Sequence, residues 1–193
     1  MDKFKKKKVV IIHGYASSPE IEKYQIISKE LDVLGVDYSI PAMPGTIYPR
    51  SKNWLEVIDQ EVNSTDKPVI LVGHSLGTRA ILLYLDKYQQ EVDSVILIAT
   101  FNNDFKKNRK GKEQYYQDFF EYALDIDQIK KLSNRFIVIH SKNDESISYK
   151  QGVEIGKELK AELIIYKDAG HFSGSEGAEK NAEYFLKFIK LAL

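Results

Sequence analysis

Short continuous apolar runs rich in Val and Ile recur along the chain, at residues 9–13, 38–40, 69–73, 95–99, 136–140 and 163–166. Most are unbroken rather than alternating with polar residues, the pattern of strands covered on both faces, and such strands belong to a parallel sheet. Segments with helical spacing of apolar residues lie between them, at 21–34, 54–62, 79–88, 129–132, 149–159 and 178–191. Strand and helix alternate throughout. A three-layer α/β/α fold with a mostly parallel sheet and right-handed crossovers is the architecture that buries both sides of every run. At 193 residues the chain can bury one good core, and it is expected to form a single domain over 1–193.

Charge and composition narrow the partners. Lys+Arg and Asp+Glu both count 28, so no whole-chain field draws in nucleic acid or an anionic membrane, and a small-molecule partner is expected. The chain has no cysteine, which removes disulfides, thiolate metal sites and cysteine nucleophiles, and fits the reducing cytoplasm. Lys5, Lys6, Lys7 and Lys8 precede an apolar run that stops at His13 and Gly14, short of the roughly 7–15 apolar residues of a signal peptide. No later run reaches the ~18 needed to span a bilayer. The reading is a solvated arm leading into a strand, with no oligomeric state fixed by the sequence.

One connection is long. The 35 residues from Thr100 to Asn134 exceed what one helix and two short loops need. A basic run at 106–112 precedes Tyr115, Tyr116, Phe119, Phe120 and Tyr122, several of which share a helical face. They are read either as a helix packed on the sheet or as a small lid, at about residues 101–128, whose aromatics line a pocket.

The chemistry concentrates where the third run turns into a helix, at Gly73-His74-Ser75-Leu76-Gly77. In a parallel α/β sheet, sites form at the carboxyl ends of strands. A turn this sharp brings strand and helix backbones together and leaves room for little beyond hydrogen at the flanking positions, which the two glycines provide. It also sets the serine oxygen over a helix N-terminus, where free N–H groups favour developing negative charge. A buried strand before G-x-S-x-G and a helix after it is the context of a nucleophile elbow. A plain serine cap for the helix would account for Ser75 but not for Gly73.

A serine hydroxyl needs a base, and the base an orienting acid. Of the four histidines, His13, His74 and His140 follow or sit inside strand ends, and are read as supports for loops or packing. His171, late in the chain after a glycine, is free to swing over Ser75. The chain order Ser, acid, His selects Asp144, with Glu145 in reserve; Asp168 is read as a turn residue. The Leu76 amide and an amide of the loop after the first strand, Tyr15 or next Ala16, are the candidate oxyanion donors. Tyr48, Trp54, Tyr115 and Phe119 are candidate substrate contacts, although aromatics so spaced are more often core.

Val10-Ile11-Ile12-His13-Gly14-Tyr15, Pro41-Ala42-Met43-Pro44 before Trp54 and Leu55, the elbow, Ser141-Lys142-Asn143-Asp144 and Gly170-His171-Phe172 together resemble the α/β-hydrolases. The likeness is to the compact serine-hydrolase group that includes retinoblastoma-binding protein nine and the YdeN-like proteins. The resemblance implies a minimal α/β-hydrolase fold, six parallel strands in the order 2-1-3-4-5-6, and Ser75, Asp144 and His171 as a triad. The long 101–128 connection departs from so compact a group. The expected activity is hydrolysis of a small ester or related acyl substrate through an acyl-enzyme, with no cofactor and no metal. The competing reading is a binding module that keeps the hydrolase scaffold without turnover.

Overall fold

Why the apolar runs are continuous is visible once each strand is placed between its two covers. The computed structural model of the chain describes residues 6–102, 115–174 and 177–193. Strands β1 (Lys8–Ile12), β2 (Asp37–Ser39), β3 (Val69–His74), β4 (Val92–Ile98), β5 (Ser133–Ser141) and β6 (Glu162–Tyr166) pair in parallel in the order β2-β1-β3-β4-β5-β6. On one side Val10, Ile12, Leu71, Leu97 and Val138 pack beneath α2 (Ser51–Asn63), α3 (Leu76–Tyr88) and α5 (Tyr149–Glu158). On the other, Val9, Ile11, Ile70, Val72, Ile96, Ile98, Ile137 and Ile139 pack beneath α1 (Glu22–Leu34) and α6 (Ala178–Ala192). Alternate residues of one strand therefore serve different cores, and every position must be apolar. Each fully buried Val, Ile or Leu contributes about 1.5–3 kcal/mol.

Helix boundaries depart from the spacing-based expectation where polar contacts extend them. Helix α2 starts at Ser51 rather than 54, because the carboxylate of Asp118 accepts the Ser51 N–H at 2.7 Å. Helix α3 starts directly after Ser75 and is buried from Leu76 to Leu85 on all sides, as a helix enclosed in a core must be. The short helix α4 covers Ile126–Ile129 rather than 129–132, started by Asp125, whose side chain accepts the Gln128 N–H.

The aromatic segment is not an α-helix. Residues Gln117–Phe120 form one 3₁₀ turn that drives Phe119 into the core. Arg79 of α3, itself buried, donates to the carbonyls of Phe119 at 2.7 Å and Tyr122 at 2.8 Å and lies over the Phe120 ring. This end of the long connection is thereby tied to the helix that follows Ser75. The basic run at 106–112 lies outside the described residues. Among the described residues no helix is long and apolar enough to cross a membrane.

The tightest backbone approach occurs between β1 and α3. A Cβ on Gly77 would lie 2.3 Å from the carbonyl oxygen of Ile12 and 2.7 Å from that of His13. These are backbone atoms of the central sheet and cannot step aside. Gly77→Ala is therefore expected to lower stability by about 3 kcal/mol or more, read as a shift in the urea midpoint; a loss below about 1 kcal/mol would show that the approach is not this close.

Candidate active site

The sheet order reverses at β1, which has β2 on one side and β3 on the other. Loops leaving β1 and β3 therefore part in opposite directions and open a crevice at the strands' carboxyl ends. The register lines these ends up, with Ile12 beside Gly73 and His74 beside Ile98. The Ser75 N–H continues the ladder to the carbonyl of Ile98 at 2.9 Å, after which the chain turns into α3.

Ser75 has φ 53° and ψ −120°, and its hydroxyl makes no capping bond to the helix. A non-glycine residue held at positive φ costs about 1–3 kcal/mol, and the structure maintains it by close contact: a Cβ on Gly73 would come within 2.8 Å of the Thr78 backbone. Thr78 accordingly takes the cap, its N–H and hydroxyl both donating to the carbonyl of Ser75, at 2.9 and 2.6 Å. The Ser75 hydroxyl is thus not spent on the cap of α3, whose first N–H groups, beginning at Leu76, have no partner within the helix.

The loop after β1 lies against this corner. A Cβ on Gly14 would sit 3.1 Å from Cβ of Ser75, so the loop packs against the elbow just before Tyr15. His13 shapes this loop. Its Nδ1 donates to the carbonyl of Gly14 at 2.9 Å while its Nε2 accepts the Met43 N–H at 3.1 Å. One donor and one acceptor require neutral imidazole, and burial, opposed by the Gly14 carbonyl and Glu20, pushes its pKa down accordingly. Trp54 donates from Nε1 to the carbonyl of Pro44, and the Ala16 N–H to that of Thr46. Segment 43–46 is thus fastened around residues 13–16.

Across the crevice, the loops after β5 and β6 meet. Asp144 is buried and uses its two oxygens differently: Oδ1 accepts the N–H groups of Ser146 and Ile147 at 2.8 and 2.9 Å, and Oδ2 stands 2.7 Å from Nδ1 of His171. The Asx-turn expected of such a residue and the orienting role are therefore compatible, one oxygen for each. Glu145 is exposed, and Asp168 is a surface residue near Lys167. The Ser75 hydroxyl and the His171 imidazole are not hydrogen-bonded to each other in this geometry, and such contacts often tighten only with substrate bound.

Three side chains that the sequence did not single out for this purpose hold the His171 turn. Asn143 Oδ1 accepts from the Ser141 hydroxyl at 2.7 Å and from the Gly170 N–H at 2.8 Å, and Ser141 Oγ accepts the Ala169 N–H at 2.8 Å. His74 Nε2 donates to the carbonyl of His171 at 2.8 Å, with the two rings 5.0 Å apart. Burial, reinforced by the charges of Lys23 and His171, holds the His74 pKa well below its ordinary value, so the ring is neutral and carries its proton on Nε2. His140 is buried against Asp144, yet burial outweighs the carboxylate and lowers its pKa too. Its Nδ1 accepts the Ser141 N–H, so it packs beneath Asp144 as a neutral ring rather than forming an ion pair. The signals were the strand-end placement of each histidine and the Ser-x-Asn-Asp spacing.

The aromatic candidates separate into two kinds. Tyr48 is exposed and packs edge-on to Tyr115 at 5.1 Å, while Tyr15 lies 5.0 Å from Tyr116. Trp54 and Phe119 are each 0% exposed and pack on each other at 5.3 Å; they are core residues, and Trp54 reaches the site loops through Pro44 and the ring of His13, 5.7 Å away. Among the described residues no group of three His, Asp or Glu side chains gathers as a metal site would require.

Comparison with known proteins shows the family and the fold. The chain is 28% identical over 173 residues to YdeN of Bacillus subtilis, spanning 89% of this chain and 88% of that one. It is 27% identical over 134 residues to serine hydrolase RBBP9 of Rattus norvegicus, 69% of this chain and 68% of that one. The crystal structure of the B. subtilis ydeN gene product superposes with a TM-score of 0.80 at 25% identity, over 95% of this chain and 99% of that one. Residues 9–187 match the serine hydrolase family, and the chain belongs to that family, with an α/β-hydrolase fold.

Proposed function

We propose that the chain hydrolyses a small ester or related acyl compound, with Ser75 as nucleophile, His171 as base and Asp144 as the group that orients it. The observation that carries this reading is the Asp144 Oδ2 to His171 Nδ1 contact of 2.7 Å, alongside a serine held at positive φ at the strand-to-helix corner. With Nδ1 engaged, His171 presents Nε2 as the proton acceptor. The Ser75 proton passes to it as Oγ attacks the carbonyl carbon, and the same proton then goes to the leaving alcohol. The amides of Leu76 and Tyr15 receive the oxyanion, and water attacks the acyl-enzyme with His171 again as base. Tyr48 and Tyr115 are the proposed substrate contacts, with Trp54 and Phe119 as the packing behind them.

The reading is tested with a fluorophosphonate probe and a panel of p-nitrophenyl esters of graded acyl length. The native chain should label and turn over, and Ser75→Ala should do neither, its turnover falling by on the order of 10³–10⁶. A native chain that neither labels nor cleaves any ester would favour a binding module on the same scaffold.

Ser141 and Asn143 position the base without touching substrate. Asn143→Ala removes both bonds made by its Oδ1 and should cost about 1–2 kcal/mol of stability. It should also cut kcat about tenfold with little change in KM, since it loosens the turn rather than the pocket. Steady-state kinetics on the preferred ester read this directly; an unchanged kcat would remove the pair from the account.

A further inference from the structure

Lys23 of α1 is 5% exposed, and its ammonium lies beneath the turn that carries His171. Its Nζ donates to the carbonyl of Phe172 at 3.3 Å and lies over the rings of Phe185 at 4.3 Å and Tyr24 at 4.6 Å. Among the described residues no carboxylate pairs with it. The contrast is Lys8, also buried, whose ammonium meets the Glu61 carboxylate at 2.7 Å, the Ser64 hydroxyl at 2.8 Å and the Glu61 carbonyl at 3.1 Å. A buried ammonium with a single long hydrogen bond destabilises a fold, so stability does not account for a lysine here.

Its position does. Phe172 has φ 54° and Gly170 φ 54°, so His171 stands between two residues held in the left-handed region. The carbonyl of His171 is held by His74 and the next one, that of Phe172, by Lys23. We propose that Lys23 is a positioning residue for His171: a buried cation kept at a cost in stability because, with His74, it fixes the two successive carbonyls of the turn that aims the imidazole at Ser75. This rests on the triad reading above.

The titratable groups around Lys23 are His13 at the end of β1, His74 at the end of β3 and Tyr24 on its own helix; from α6 it meets the ring of Phe185, His171 stands beyond His74, and Glu20 acts on His13. Burial pushes the Lys23 pKa down to about 7 from 10.5. Between those values the unfolded chain holds the proton more tightly than the folded one. The penalty is thus complete below about pH 7 and fades as pH rises toward 10.5.

Lys23→Met keeps the length and removes the charge and the donor. It should raise Tm, more at pH 6 than at pH 9, while lowering kcat about tenfold with KM within about twofold. Amide hydrogen exchange at residues 171–173 should quicken about tenfold. A purely structural lysine would give the reverse, a lower Tm with kcat of the folded protein and exchange at 171–173 unchanged, and that result overturns the proposal. A native chain with no turnover would sink the hydrolase reading instead; Tm and exchange would still decide the part played by Lys23.

Discussion

The approach of α3 to the end of β1 is the contact on which the rest of the molecule depends. With hydrogen alone at Gly77, the helix seats against the carbonyls of Ile12 and His13. Ser75 is then forced to φ 53° at the start of α3, and the loop at Gly14 packs against its Cβ. None of these features can be had separately. A larger residue at Gly77 would move the helix, and with it the hydroxyl, the amide and the loop together.

Around this corner the protein places basic groups out of water and keeps most of them neutral. His13, His74 and His140 are all pushed below their ordinary pKa by burial, and each uses ring nitrogens to hold or pack a loop. Their neutrality is useful, because a neutral imidazole both donates and accepts, as His13 does between Gly14 and Met43. His171 differs in having a carboxylate at Nδ1 and an imidazole 15% exposed. The same chemical group thus serves as scaffold at three strand ends and as candidate base on the turn after β6.

Much of this was legible in the sequence, for physical reasons. Continuous apolar runs revealed strands with two covers, and strand, Gly-x-Ser-x-Gly and helix in succession revealed the corner, because steric exclusion leaves few residue choices there. Elimination among four histidines selected His171, the one whose Nδ1 the fold sets 2.7 Å from Asp144 Oδ2. The aromatic segment was misjudged: residues 115–122 have helical spacing, yet Arg79 takes up the carbonyls of Phe119 and Tyr122 and a 3₁₀ turn results. Trp54 and Phe119 illustrate the same limit, since an aromatic beside a pocket and one beneath it have the same spacing. Lys23 did carry a signal, sharing one helical stripe with Ile27 and Leu31. Lysines in such a stripe usually snorkel to water; only the fold shows that this one cannot.

The central claim is that Ser75, His171 and the amides of Leu76 and Tyr15 converge on one reacting carbonyl. A crystal structure of the chain after reaction with a fluorophosphonate tests it most directly. The account predicts phosphorus on Ser75 Oγ, the phosphonyl oxygen about 2.7–3.1 Å from both amide nitrogens, and the His171 ring still bound to Asp144 with Nε2 facing the adduct. A phosphonyl oxygen turned away from those amides, or an imidazole that stays out of reach of Ser75, would contradict it.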